Sequence, residues 1–127
     1  MKTKLKTTLA LLVGAGLGAA VIEGLHAQAS GPVYAVVAIR KINDADAYKT
    51  IMPKAAPAAE AAGGKFVIRT DKITSLDGTP PARFVLIQFE NMEKAQAWHN
   101  SEAQKEVDAI RLKNTDSLAF FVEGLPK

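Results

Sequence analysis

The sequence predicts a small α+β domain, on three observations. Several short β-branched runs are apolar in both alternating phases, two stretches carry apolar residues at helical spacing behind a capping side chain, and Gly- or Pro-rich turns separate them. The first run, Val33 to Arg40, places Val33, Ala35, Val37 and Ile39 on one side and Tyr34, Val36 and Ala38 on the other, as in a strand buried on both faces. Asn43 or Asp44 then caps a helix in which Tyr48, Ile51, Met52, Ala55, Ala59 and Ala62 form one stripe, ended by Gly63 and Gly64. Pro53 and Pro57 fall inside that pattern. Each removes a backbone donor and crowds the carbonyl four residues back, so a kink or break is expected near Met52.

Lys65 to Thr70 reads as the second strand, with Ile73 to Leu76 as a short extension before the turn Asp77-Gly78-Thr79-Pro80-Pro81. Arg83 to Phe89 is the third strand. Asn91 caps a short helix through Trp98, and Ser101 with Gln104 forms a capping box that starts another, running to about Asn114. The last strand, Ser117 to Val122, is again apolar in both phases. The order β-α-β-β-α-β is the split βαβ, or ferredoxin-like, arrangement: an antiparallel sheet with its helices on one face. The other face would be uncovered and apolar, more than a soluble monomer usually exposes, so a two-fold partner laying its sheet against the first is expected.

Ahead of this domain lies a segment with the grammar of a secretory signal. Lys2, Lys4 and Lys6 precede an uncharged apolar stretch from Thr7 to Ile22, and Ala27 with Ala29 form an A-x-A cleavage site that leaves Ser30 as the new N-terminus. Cleavage after Ala27 is the alternative. The apolar run stops at Glu23, short of the roughly 20 residues a bilayer span takes, so contact with the membrane is expected only through the uncleaved signal. Gly14, Gly16 and Gly18 follow no strand, which removes a nucleotide-loop reading. The expected organisation is a signal at 1–29 and one domain at 30–127, exported through the general secretory route to the periplasm or beyond.

The chain has no Cys, which excludes a lipid-anchored cysteine, a disulfide framework, a thiolate metal site and a cysteine nucleophile. Most of the net charge of +3 belongs to the presequence, where Lys2, Lys4 and Lys6 stand against Glu23; from Ser30 onward 13 basic side chains face 12 acidic ones, and the mature domain is nearly neutral. With no later basic cluster, nothing points to nucleic acid.

Five stretches carry a resemblance: Tyr34-Ala35-Val36-Val37, Asp44-Ala45-Asp46-Ala47-Tyr48, Gly63-Gly64-Lys65-Phe66-Val67-Ile68-Arg69, Val85-Leu86-Ile87-Gln88-Phe89-Glu90, and Ala95-Gln96-Ala97-Trp98-His99-Asn100-Ser101. Together they resemble the bacterial family known as domain of unknown function 1330, over nearly the whole mature chain. The resemblance implies the fold of the dimeric α+β barrel superfamily, whose members include cofactor-free monooxygenases, muconolactone-type isomerases and haem-dependent peroxidases. It also implies a pocket at Trp98 to Ser101 and at Arg111, without a catalytic role. The chain departs from the family in having Arg69-Thr70-Asp71 for Arg-Gly-Gly and His99 for a common Tyr. Losing two glycines can alter or close a pocket lined by that turn, since glycine admits positive φ and close approach.

Each candidate has a plainer reading beside the functional one. Arg69 alternates with Val67 and so points to an otherwise apolar face, where it needs a carboxylate, a ligand anion or a surface partner at the sheet edge. Trp98 can be core by size alone. His99 is the sole His of the mature domain and cannot build a zinc site; an imidazole can act as a general base or haem ligand, but a surface position at a helix end is the default. Ser101 reads as a cap before it reads as a nucleophile. Arg111 adjoins Ala103, Val107 and Ile110 and can reach a ligand anion or pair with Asp108 or Glu106. Tyr34 and Tyr48 offer hydroxyls to a cavity or to water.

The function expected is binding of a small hydrophobic or aromatic acid between sheet and helices by an exported homodimer, with Arg69, Trp98, His99, Ser101, Arg111 and Tyr34 as candidate ligand contacts and no metal or cofactor. The alternatives are a cofactor-free monooxygenase- or isomerase-like enzyme, and a structural or stress-accessory dimer without a ligand.

Overall fold

A computed structural model describes residues 31–126, so the expected signal at 1–29 and its cleavage site lie outside the described residues. Four strands form one antiparallel sheet in the order β2-β3-β1-β4: β1 (Val33–Ile42), β2 (Lys65–Thr70), β3 (Arg83–Phe89) and β4 (Thr115–Glu123). Both central strands belong to the apolar runs, as expected of strands covered from two sides. Val37 sits opposite Val85 of β3 and Ala119 of β4, and Val36 opposite Leu86 and Phe120, which fixes the two faces. The inner face takes Ala35, Ile39, Val85, Ile87 and Phe89, all buried; Phe89 and Ile39 are the largest side chains fully removed from solvent. The fold is the α+β, ferredoxin-like one that the element order predicts.

The first helical stretch breaks where the prolines require. Asp44 caps α1 (Ala45–Lys49), its Oδ1 accepting from Ala47 N at 3.0 Å, and the chain turns through Thr50 and Ile51 into α2 (Met52–Ala61). Pro53 thereby falls in the first turn of α2, where a missing N–H is not missed. Pro57 stays inside α2, on its exposed side. The second helical stretch is also two pieces, α3 (Met92–Asn100) and α4 (Glu102–Asn114), hinged on Ser101. One hydroxyl serves both: Ser101 Oγ donates to Trp98 O at 2.7 Å and accepts from Gln104 N at 3.2 Å. A Lys54–Glu106 ion pair ties α2 to α4.

Two expectations need correction. The segment from Ile73 to Leu76 is not a strand; Ser75 Oγ donates to Gly78 O at 2.6 Å, and Pro80 and Pro81 lack the donors a ladder needs. Arg69 does not share a face with Val67. The register between β2 and β3 shifts between Phe66 and Ile68, so Phe66 lies opposite Ile87 and Arg69 opposite Val85, both inward, while Val67 is 48 % exposed. A bulge at that point inserts one residue and turns Arg69 to the same side as Phe66.

The core divides into two clusters. Val33, Ala35, Ala59, Val85, Ile87, Phe89, Ala95 and Trp98 form one; Ile39, Tyr48, Ile51 and Val107 form the other; Val37 touches both. On the opposite face of the sheet no helix of the described residues packs, and Ile68, Leu118, Phe120 and Val122 are each 38 % exposed or more.

The joint between α2 and β2 gives a direct check on this packing. A Cβ on Gly64 would lie 2.7 Å from Phe89 Cε1 and 2.9 Å from the Ala59 carbonyl oxygen, neither a loose end. Gly64→Ala is expected to lower the unfolding free energy by about 1–3 kcal/mol in chemical denaturation, and an unchanged midpoint would show that Phe89 and α2 yield freely.

Candidate functional site

Between the two core clusters lies a cavity of about 60 Å³. Its walls are mostly apolar, from Ile39, Ile51, Val85, Ile87 and Val107, yet Arg69, Arg83, Arg111, Gln104 and the Tyr48 hydroxyl also line it. Each charge arrives by local geometry. Arg83 opens β3 in phase with Val85, Ile87 and Phe89, so it points inward. The β2 bulge delivers Arg69, whose guanidinium carbon stands 4.8 Å from the centre of the Phe66 ring. Arg111 and Gln104 come from the buried side of α4, in line with Val107.

The three arginines are not equivalent. Arg111 is 8 % exposed and well held: one terminal nitrogen donates to Ser117 Oγ at 2.7 Å and the other to Asp108 Oδ1 at 3.3 Å. Gln104 Nε2 donates to the same carboxylate oxygen at 2.9 Å. Among the described residues, neither Arg69 nor Arg83 has a carboxylate within salt-bridge distance. Tyr48 shares the cavity with both. Burial of that phenol pushes its pKa up from the usual tyrosine value, and the charge and hydrogen bond of Arg83, then the charges of Arg111 and Arg69, pull it the other way.

Three buried side-chain atoms find no hydrogen-bond partner among the described residues: Arg83 Nε, Trp98 Nε1 and Arg111 Nε. All three are donors, and all three residues line this cavity.

A second cavity of about 210 Å³ adjoins the first, sharing Val37, Trp98 and Arg111 with it. Ala35, opposite Phe121, and Ala119, opposite Val37, contribute small side chains to its lining; Phe121 and His99 also line it, their rings edge to face at 6.2 Å. His99 Nδ1 is 3.7 Å from Asp108 Oδ2, the oxygen that Arg111 and Gln104 leave open. A third, outer cavity of about 260 Å³ shares Tyr48, Met52 and Arg83 with the first and is bordered by Asp71.

Of the residues singled out in the sequence, Arg69, Trp98 and Arg111 line the inner cavity and Trp98, His99 and Arg111 the second. Ser101 lines neither and works as the double cap described above. Tyr34 sits on the opposite sheet face, across from Gln88 and Val122 and against Gly124; it is Tyr48 whose hydroxyl reaches a cavity. Thr70 and Asp71 adopt no positive φ, so the backbone tolerates the loss of glycine there. Arg83 and Gln104 were not foreseeable as pocket groups from spacing alone, although Arg83's phase on β3 marks it as inward.

The fold and cavity define a ferredoxin-like α+β protein with a cationic pocket between its sheet and its helices. The chain belongs to the family described as Domain of unknown function (DUF1330), whose pattern matches residues 32–125. No curated protein matches it. Among solved structures, a protein of unknown function from Rhodopseudomonas palustris is similar at 17% identity and a TM-score of 0.62, over 76% of this chain and 84% of that one. A dimeric ferredoxin-like protein of unknown function from Jannaschia sp. CCS1 is similar at 11% identity and a TM-score of 0.59, over 74% and 100%. SnoaB, a cofactor-independent oxygenase from Streptomyces nogalater, shares the fold at 12% identity and a TM-score of 0.52, over 73% and 92%.

The Asp108 carboxylate holds this arrangement together. Asp108→Ala leaves the Arg111 charge buried and without a counterion, and is expected to lower stability by about 2–4 kcal/mol in denaturant titration; a loss below about 0.5 kcal/mol would mean that Ser117 and solvent suffice.

Proposed function

We propose that the mature protein is an exported homodimer that binds a small hydrophobic or aromatic acid in the cavity between sheet and helices. The observation that carries this reading is the pair Arg69 and Arg83, which line one mostly apolar cavity and, among the described residues, have no carboxylate within salt-bridge distance. A guanidinium at an apolar wall favours a countercharge, and an incoming carboxylate would supply one to both arginines. The apolar walls favour a hydrocarbon body behind that head group.

Dimerisation rests on the uncovered sheet face, where Leu118, Phe120 and Val122 lie side by side with Val36 and Leu86. The Jannaschia relative is described as dimeric. Export rests on the signal-like residues before Ser30. An enzyme without a cofactor is the second reading, favoured by His99 facing Asp108 beside the second cavity, an arrangement that suits a general base.

Trp98 is the one tryptophan of the chain and lines the cavity, so its fluorescence reports binding directly. Titration of the mature protein with benzoate and phenylacetate is expected to give a saturable change, weakened about tenfold or more in Arg83→Ala, as loss of a charge-assisted bond implies. No saturable response to any apolar acid would leave the ligand-free structural dimer as the better account.

Sedimentation equilibrium checks the assembly separately. The chain from Ser30 onward is expected to be a dimer, and Phe120→Asp to weaken association about thirtyfold or more. A wild-type monomer at high concentration would require another cover for this face.

A further inference from the structure

The second cavity, of about 210 Å³, differs in its electrostatics from the one lined by Arg69 and Arg83. Its lining carries His99, Asp108 and Arg111, and what β1 and β4 add is apolar. The fixed charges balance, since Asp108 Oδ1 accepts from Arg111 at 3.3 Å and from Gln104 at 2.9 Å. Those donors lie one turn before and one turn after Asp108 on α4, and only 18 % of the carboxylate side chain is exposed. Its second oxygen, Oδ2, faces His99 Nδ1 at 3.7 Å. That is longer than a hydrogen bond, as contacts in catalytic pairs often are before a ligand draws them together. His99 reaches this place through the joint of α3 and α4, where Ser101 Oγ bonds to both Trp98 O and Gln104 N. With Nδ1 turned to a carboxylate, the hydrogen sits on Nδ1 and Nε2 is left as the basic nitrogen. Nε2 has no hydrogen-bond partner among the described residues, and the side chain is 60 % exposed.

We propose that this second cavity takes a neutral aromatic molecule with a weakly acidic hydroxyl, a phenol or an aromatic enol, and that His99 Nε2 accepts its proton with Asp108 as the positioning residue. The ligand's O–H bond breaks, an N–H bond forms at Nε2, and no electron enters or leaves. The total charge in the cavity is unchanged: a phenolate faces an imidazolium, which Asp108 stabilises from behind as a carboxylate does for a catalytic histidine. A ligand already ionised would bring a charge for which the balanced Asp108–Arg111 pair leaves no counterpart, so a neutral one suits this lining. Size agrees, because an apolar cavity of about 150 Å³ holds a benzene ring and this one is larger. The proposal deepens the second reading, an enzyme without a cofactor, and rests on it; it does not require acid binding at Arg69 and Arg83.

The test is absorption and nitrogen NMR spectroscopy of the chain from Ser30 onward with meta-nitrophenol at neutral pH, where the free phenol is mostly un-ionised and its phenolate absorbs at longer wavelength. The bound molecule is expected to show the phenolate band, and meta-nitroanisole, which has a methyl group in place of the proton, to bind about tenfold or more weakly by calorimetry. His99 is the one histidine from Ser30 onward, so its ring signals are unambiguous. They are expected to show the Nδ1–H tautomer in the free protein and imidazolium in the complex. His99→Gln, at an exposed position, is expected to abolish the phenolate band. Asp108→Asn keeps the side chain's shape and is expected to lose the Nδ1–H preference and most of the band; an unchanged tautomer and band there would overturn the positioning role of Asp108. No binding of meta-nitrophenol, binding without ionisation, or a band that survives His99→Gln would overturn the proposal while a wild-type Nδ1–H preference keeps the general-base reading. A free His99 without that preference would overturn both.

Discussion

Positive charge held inside the layer between sheet and helices is the condition to which the rest of this structure answers. A guanidinium in an apolar layer is tolerated only with its donors matched, and Arg111 meets that requirement through Asp108 and Ser117, partners taken from its own helix and from β4. The bond to Ser117 matters for architecture as well as charge. It fastens α4 to the strand that follows it with no intervening loop, at the end where Thr115 Oγ1 also donates to Arg111 O at 2.7 Å. The apolar side chains form two clusters, and the cavity lined from both of them also takes the buried Arg111, the half-buried Arg83 and the exposed Arg69. The site is thus the seam of the core, and packing on both sides holds it open.

The sheet carries two loads at once. Its inner face supplies the cavity floor through Ile39, Val85 and Ile87, while the outer face presents Phe120, Leu118 and Val122 to whatever covers it. Because opposed residues in an antiparallel pair share a face, Val36 with Leu86 and Phe120 forms a band across the three strands β3, β1 and β4. Covering that band would stiffen the strands that also bear Ala35, Ala119 and Arg83.

Much of this is legible in the sequence, and what is legible shares a scale. Asp44, Asn91 and Ser101 announce helix starts because a cap depends only on backbone three residues away, and each makes the bond its position implies. The break before Met52 follows from Pro53 by the same local logic. Arg69 escapes that logic. Strict alternation puts it with Val67, and nothing in the run Lys65 to Thr70 marks the bulge that reverses it, since the shift is set by pairing with β3. The convergence of Arg83, Gln104 and Tyr48 is illegible for a similar reason, because each belongs to a different element and only the sheet order brings them to one cavity. Arg111 lay between two readings, ligand anion or Asp108, and the structure shows the Asp108 pairing while leaving its Nε open.

The mouth of the site carries one more consequence of sequence. Asp71, where the family resemblance leads one to expect glycine, borders the outer cavity together with Arg83, Tyr48 and Lys49. Its carboxylate shares that cavity's lining with Arg83, which has no carboxylate within salt-bridge distance among the described residues. On the proposed acid-binding reading, a negative charge so placed disfavours a second one on the ligand. The backbone path at this turn is left unstrained, so what the exchange of glycine adds there is charge.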